Sequence, residues 1–500
     1  MSHLPDWSYR IFTSRHRWLA VAFTLLLLLA FAAMAGLLLS ELGVLYAAAA
    51  FMGLFLGLWM LTDIEVAYWS VIGVVCLLPA ATFPFDVGFT PTLLDAALGG
   101  LFLVWAVQIT TGHQRNLTAT SLGLPTAILI LLASGSFVFG LAHAPLTPYS
   151  LRHFAELLMS ISLIYLVANT VRQPDRLDRI VRVFILAVFG SALVGIGLYL
   201  VAHFVSEDLV IQVLSWLQRF GYPAGEGVIR YVEDNPELMM RATAMSIDPN
   251  VLGNLLVLGL AVGTPQIFAE RPLFPRWCMW PILGTIGLCL VMTISRSALV
   301  SAGVALGLLA LLRYRKLRWM LLGAFVLILI LPPTQEYVAH FIEGLQVGDL
   351  ATQMRMGEYR DALTLIGRYP WLGVGFSASP DIDMYIGVSN VYLLIAEQMG
   401  VIGLAGFLVL IVTLFVRFWQ ARVPAQHMPR LEPIFLGLHV AICGALVGGI
   451  FDHYIFNLDF HYSVTLFWLI AGLATATVEM IRQRAAEEAG APTNLAAESA

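Results

Sequence analysis

Residues 277–312 read WCMWPILGTIGLCLVMTISRSALVSAGVALGLLALL, 36 positions with a single charge, Arg296. As one helix this stretch would be about 54 Å long, too much for one crossing of a ~30 Å hydrocarbon layer. Both flanks are basic: Arg271 and Arg276 precede it, and Arg313, Arg315, Lys316 and Arg318 follow it. One crossing would leave one basic cluster outside, whereas two short crossings keep both on the cytoplasmic side. The stretch therefore predicts a helical hairpin that turns near Ser295-Arg296 and holds a guanidinium at the outer membrane boundary. A charge at that depth is a candidate functional group.

The rest of the chain has the same character. Of its 500 residues 59% are hydrophobic and 12% charged, with a mean hydropathy of +0.83. Soluble domains carry about twice that charge, so the fold class is an all-α polytopic membrane protein. The first apolar run, at about residues 19–39, is too long for a signal-peptide core and has no small-residue cleavage site after it, so a retained span is expected. Cys76, Cys278, Cys289 and Cys443 all fall in apolar runs without metal-ligand spacing and read as core fillers. The net charge of −5 decides nothing, because the distribution of charge across the membrane matters more than its sum.

Apolar runs predict spans at about 18–39, 44–62, 66–83, 92–111, 122–142, 151–170, 183–204, 247–267, 278–294, 297–312, 319–332, 391–416, 433–451 and 462–481, about 14 helices (12–14). An even number puts both termini on one side. Of the 27 Lys and Arg residues, 19 then fall on that side and eight on the other, which predicts cytoplasmic termini, although the first inside loop (Asp63, Glu65) is acidic. Residues 1–482 read as a single transmembrane domain with two long periplasmic loops, 205–246 and 333–390. Each loop carries an amphipathic segment: Leu209, Val213, Leu214, Trp216, Leu217 and Phe220 in the first, and Tyr337, Val338, Phe341, Ile342 and Leu345 in the second. Such helices lie in the membrane interface or pack on one another as loop helices. Residues 483–500, rich in Ala and Glu, read as a disordered cytoplasmic tail. No internal repeat is visible, which argues against inverted-repeat transporter folds.

Unusual polar residues gather on the outer face in four clusters. The first is Arg241 with Asp248-Pro249-Asn250, just before the eighth span. Asp-Pro-Asn is also plain helix capping, with Asp248 as N-cap and Pro249 at N1; an Arg beside a helix N-terminus makes an anion pocket. The second is Thr293-Ile-Ser295-Arg296-Ser297, in which Ser297, Ser301 and Gly307 equally serve close helix contact. The third holds Arg355 and Tyr359 on one helix face, then Tyr369-Pro-Trp-Leu-Gly-Val-Gly-Phe376, a helix-breaking loop, and Ser389-Asn390 capping the next span. The fourth is Asp452-His453, with Asp459 and His461 nearby.

Several guanidiniums facing outward among apolar helices call for an anionic substrate, because Arg matches phosphate oxygens with a planar fork and stays charged when desolvated. The sequence contains no phosphate-binding glycine loop and no His/Cys/carboxylate set at metal-ligand spacing. Asp381 and Asp383 form an Asp-x-Asp pair on the outer side, where nucleotide sugars are absent, and read as incidental. A lipid-linked pyrophosphate fits, since it supplies its own leaving group and needs mainly its charge bound.

Three motifs then resemble one family. They are Arg241-x-Thr with Asp-Pro-Asn at 248–250, Thr-Ile-Ser-Arg-Ser-Ala at 293–298, and a run from Arg355 and Tyr359 through Tyr-Pro-Trp-Leu-Gly-Val-Gly-Phe and Asn390-x-Tyr-Leu to Glu-x-x-Gly-x-Ile-Gly. In that order they are similar to the bacterial O-antigen ligase and Wzy-type polysaccharide polymerase superfamily, over about residues 235–410. The resemblance implies a GT-C-like inner-membrane glycosyltransferase that needs no cofactor or metal and acts at the periplasmic face. Its donor would be a glycan on undecaprenyl pyrophosphate and its acceptor a glycan or lipid in the bilayer. Chain-length regulators or export proteins are further candidate partners, and nucleic acid is not one. By motif position Arg241 and Arg296 would hold the pyrophosphate, with Asp248, Asn250, Arg355, Tyr359 and Asn390 as substrate-binding residues.

Ligases of this family carry a His, the proposed general base, just before the Asn that opens the span after the large loop; this chain has Ser389 there. An unactivated serine is a poor proton acceptor at neutral pH, so either another group serves or so good a leaving group makes the base dispensable; Asp452 and His453 are the substitute catalytic candidates, with Asp248 behind them. The departure favours an exopolysaccharide or O-antigen polymerase over a ligase to lipid A-core. A lipid-linked oligosaccharide flippase is the reading from another class. It would need charges through the depth of the bundle, whereas Asp95, Arg152, Glu156, Arg241 and Arg296 all sit at outer ends of spans.

Overall fold

The structure is a computed structural model that describes residues 53–488, apart from 54, 85, 87, 113, 115, 116, 118, 331–334, 336–338, 340, 341, 343–349 and 377–386. The expected span at 18–39, most of that at 44–62, most of the amphipathic segment at 337–345 and the Asp381/Asp383 pair lie outside the described residues. The chain divides into two units, Met1–Asp63 and Ile64–Ala500. In the first, residues 55–62 are helical, and the Thr62 hydroxyl donates to the Trp59 carbonyl.

The second unit is mostly helical. Its N-terminal part holds α1 (Ile64–Leu77), α2 (Leu93–Thr110), α3 (Gly123–Gly140), α4 (Pro148–Thr170), α5 (Pro174–Phe204) and the short α6 (Glu207–Ser215). A two-stranded antiparallel ribbon follows, β1 (Arg230–Tyr231) with β2 (Met240–Arg241). Next come α7 (Pro249–Phe268), α8 (Arg276–Met292), α9 (Arg296–Leu312), α10 (Arg315–Ile330), α11 (Leu350–Arg368), α12 (Val391–Ala425), α13 (Glu432–Gly448) and α14 (His461–Glu488). Among the described residues seven helices are long and apolar enough to cross a membrane, and α1, α8, α9 and α13 are shorter apolar helices. Leu103, Leu124, Leu131, Leu193, Leu408 and Val412 stand exposed along their helices. Such a belt is a liability in water and a fitting surface in lipid, where helices satisfy their own backbone.

The 36-residue stretch divides as its length requires. Helices α8 and α9 have 17 residues each and are separated by Thr293–Ser295, with Ile294 at φ +51°. Each spans about 26 Å. The centre of the unit is α14, buried over 94% of its apolar window and packed on α4, α13 and α12, and α7, buried over 89% and packed on α13, α8 and α9. Helix ends remote from Arg296 are tied by ion pairs: Arg313 to Glu432 at 2.7 Å, Arg179 to Glu65 at 2.6 Å, and Arg430 to Asp178 at 2.7 Å.

Two helix boundaries and one packing face differ from expectation. Helix α5 starts nine residues before the predicted 183, because Pro174 at its first turn pre-sets the helical φ and Asp175, Arg176, Asp178 and Arg179 extend it as a polar turn. Helix α14 runs on to Glu488, so residues 483–488 of the expected tail are helical; Ala and Glu are strong helix formers continuing an existing helix. In α6 the buried residues are Val210 and Leu214, which pack with Ala202 and Val228, while Leu209, Val213 and Trp216 are exposed.

A fourth difference is a break inside α12, where Gly400 has φ +67° and ψ −178°. The carbonyls freed there are taken up by the loop 369–376. The N–H groups of Val374 and Gly375 donate to the carbonyls of Glu397 and Gln398 at 2.9 and 3.0 Å, and Val401 N–H donates to the Pro370 carbonyl at 2.8 Å. From α3, the Ser136 hydroxyl lies 2.5 Å from the Gln398 carbonyl and 2.6 Å from that of Leu372. A Cβ at Gly400 would lie 2.1 Å from the Trp371 carbonyl oxygen, and one at Gly373 2.4 Å from the Gln398 carbonyl carbon. The glycines of the loop motif are thus explained by backbone lying directly on backbone.

Candidate functional site

Two helix starts form one wall. At α7, Asp248 is the N-cap, its Oδ1 accepting from Asn250 N–H at 2.7 Å and Val251 N–H at 3.1 Å. At α9, Ser295 is the N-cap and Arg296, partly exposed, is the first helical residue. Arg241 joins the two. Its Nε donates to the Thr293 carbonyl at 2.9 Å and its Nη2 to Asn250 Oδ1 at 2.7 Å. Ala242 N–H donates to the Met292 carbonyl at 2.9 Å, which extends the ribbon strand onto the end of α8. Two helix N-termini and two arginines make a positive field suited to an anion.

The opposite wall comes from α11, the start of α12 and the loop after α13. Asn390 caps α12 through Tyr392 and Leu393 N–H, both at 3.0 Å, and its Nδ2 donates to the Ile450 carbonyl at 2.8 Å. The Tyr359 hydroxyl reaches the carbonyls of Ser389 and Ile450, each at 3.3 Å, and Glu358 accepts from Ser389 N–H at 2.9 Å. The Ser389 segment is therefore pinned to α11.

Asp452 lies between the walls, only 8% exposed. The Ser297 hydroxyl donates to its Oδ2 at 2.5 Å, and Arg355 Nη2 is 3.5 Å from its Oδ1. Burial pushes its carboxyl up to about 6, against the lowering influence of Arg355, Ser297 and Arg241. Tyr454, whose hydroxyl burial holds well above its ordinary value, donates to Asp248 at 3.4 Å. A small cavity of about 20 Å³ is lined by Asn250, Ser297, Ala298, Asp452 and Tyr454, room for about one water.

The fold thus gathers Arg241, Asp248, Asn250, Arg355, Tyr359, Asn390 and Asp452 with the α8–α9 turn that carries Arg296. His453 turns away from Asp452: its ring packs on Tyr454 and Phe460 and it bonds the Val388 backbone, and burial lowers its pKa. The adjacent pair is not one Asp–His unit. Ser297 and Tyr454 join this cluster through Asp452 and Asp248, and Ser297 in particular reads from spacing as a small packing residue.

A second, larger cavity of about 270 Å³ is lined by Thr147, Tyr149, His153, Phe376, Gln398 and Asp459. Beside it His153, Glu156 and His461 converge, a set of metal-ligating type that sequence spacing does not reveal because His461 is about 300 positions from the other two.

None of the curated proteins compared matches the chain. Residues 281–408, from α8 to the first half of α12, match the family model described as O-antigen ligase. That segment holds Arg296, Arg355, Tyr359 and Asn390, while Arg241, Asp248 and Asp452 lie outside it. Over residues 281–408 the chain is thus similar to the O-antigen ligase family, in keeping with the superfamily its motifs resemble.

Proposed function

We propose that the protein is an inner-membrane glycosyltransferase that polymerises undecaprenyl-pyrophosphate-linked glycan repeat units at the periplasmic face, as an exopolysaccharide or O-antigen polymerase. About 14 spans in a GT-C-like arrangement with cytoplasmic termini belong to this reading. The observation that carries it is Arg241, which bridges the starts of α7 and α9 beside the buried Asp452. Arg241 and Arg296 bind the donor pyrophosphate, helped by the two helix N-termini. Asp452 takes the proton from the acceptor hydroxyl as its oxygen attacks the anomeric carbon. The bond from that carbon to the pyrophosphate breaks, and undecaprenyl pyrophosphate leaves with the electron pair. In this scheme the pyrophosphate requires no metal. Ser389, held by Glu358 and Tyr359, positions the α12 start and takes no proton.

Transfer to a lipid A-core acceptor is the second reading, favoured by the description of the matched family. Analysis of glycans from a deletion strain separates the two. Loss of long chains supports a polymerase, and long chains stranded on undecaprenyl pyrophosphate support a ligase. Unaltered glycans would refute both.

A further inference from the structure

We propose that His153, Glu156 and His461 form a binding site for a first-row divalent cation of the zinc class, joining the N-terminal ends of α4 and α14. His153 and Glu156 stand one turn apart on α4, and His461 is the first residue of α14. His153 Nδ1 is 3.2 Å and His461 Nδ1 3.9 Å from the same oxygen, Glu156 Oε2. All three donor atoms lie within 4.8 Å of one another. Tetrahedral ligands at about 2.0–2.1 Å from zinc stand roughly 3.3 Å apart, so this set is assembled to within about 1.5 Å before any ion enters.

Burial sharpens the case. His153, Glu156 and His461 are 5%, 4% and 8% exposed, yet both His461 nitrogens lack a hydrogen-bond partner, while His153 Nδ1 and Glu156 Oε2 face each other at 3.2 Å. Each such orphan costs about 1–3 kcal/mol, and two of them against a buried His–Glu pair require a reason. A cation would accept all three side chains at once. The carboxylate is also braced as metal-bound carboxylates are: its other oxygen, Oε1, accepts from Arg152 Nε at 3.2 Å and Nη2 at 3.0 Å, and Arg152 is 3.1 Å from Asp95. Tyr149 packs its ring on His153 at 4.2 Å between centroids.

The donors select the ion. Two imidazoles and one carboxylate suit zinc and its neighbours, whereas calcium and magnesium require a shell of oxygens. Three protein donors leave a tetrahedral shell one ligand short. Because His153 also lines the 270 Å³ cavity, the ion would stand at the cavity wall.

The test uses the full chain in nanodiscs, purified without a histidine tag, stripped with chelator and dialysed against zinc. Elemental analysis should find about one zinc per chain, and cobalt should give the visible absorption of a tetrahedral site. Glu156→Gln and His461→Ala should each weaken binding by at least about tenfold, while His427→Ala, an exposed histidine, should not. Melting of the stripped wild-type protein should rise on adding zinc, a readout that no variant's folding can confound. Wild-type protein that takes up no zinc and melts unchanged overturns the proposal, as does full binding in both site variants. Metal content is read without glycan transfer, so this result is separate from the pyrophosphate reading.

Discussion

Asp452 offers the sharpest test of the proposed chemistry. With its carboxyl near 6, the fraction ionised rises from about one tenth at pH 5 to about nine tenths at pH 7. Turnover of a lipid-linked glycan by purified enzyme should follow the same limb, roughly ninefold between those values. Asp452→Asn should lose that limb and about 10²–10⁴ of the rate. Arg355 stands 3.5 Å from Asp452, where Coulomb's law with an effective dielectric of 20 to 80 gives roughly 1–5 kcal/mol, or about one to three pKa units. Arg355→Met should therefore move the limb to pH 7 or above and slow the enzyme at neutral pH. Stability gives the control. A raised carboxyl value means that ionised Asp452 opposes folding, so its contribution is best below about pH 4 and is lost as pH rises toward 6. Asp452→Asn should then melt no lower than wild type at pH 7. Released undecaprenyl pyrophosphate is the assay. An Asp452→Asn enzyme that keeps the limb, or a limb unmoved by Arg355→Met, refutes the assignment.

Other consequences follow from single contacts. Ser297→Ala removes the 2.5 Å bond that lowers Asp452, so the limb should move upward with the fold intact; a downward move contradicts the assigned hydrogen bond. Arg241→Ala and Arg296→Ala should each abolish long-chain product at normal expression, and Arg296→Lys should also be damaging, because an ammonium lacks the bidentate fork. Near-normal chain lengths in both alanine variants would remove the pyrophosphate clamp. Gly400→Ala would put a Cβ 2.1 Å from the Trp371 carbonyl oxygen, and a melting point within a degree of wild type would show that the α12 break needs no glycine.

The sequence was most legible where one physical length decided the matter. A 36-residue apolar stretch with basic flanks can only be two short helices, and α8 and α9 are that. The helix carrying Arg355 and Tyr359 was visible from spacing, as were the caps Asp248 and Asn390. The break at Gly400 was not, because residues 391–416 read as one long, mainly apolar helix and the carbonyls freed at Glu397 and Gln398 are satisfied by a loop about 23 positions earlier. Asp452 and His453 read as a unit from adjacency, but side chains leaving a loop in succession diverge. Burial and Ser297 set the properties of Asp452, and neither is written in local spacing. His153, Glu156 and His461 were hidden for the same reason, since only the packing of α14 on α4 brings them together.

Strain beside the site yields a last prediction. Ile247, at φ +65° and ψ −39°, closes a three-residue turn in which Asp248 N–H donates to the Ser246 carbonyl at 2.6 Å. A β-branched residue in that region costs about 1–3 kcal/mol. The turn aims the Asp248 cap, and Ile294 at φ +51° plays the corresponding part before Ser295. The two isoleucines should nevertheless respond differently to glycine. Ile294 is 7% exposed, so Ile294→Gly sacrifices about 2–5 kcal/mol of packing, more than the strain it relieves. Ile247 is only partly buried, so relief of strain offsets about 1–2 kcal/mol of lost burial and about 1 kcal/mol of added backbone freedom. Ile247→Gly should then melt close to wild type yet turn over slowly, because a relaxed turn no longer fixes the α7 start beside Arg241. If it unfolds as readily as Ile294→Gly, the turn stores no strain; if it remains fully active, the strain is not what holds the site in place.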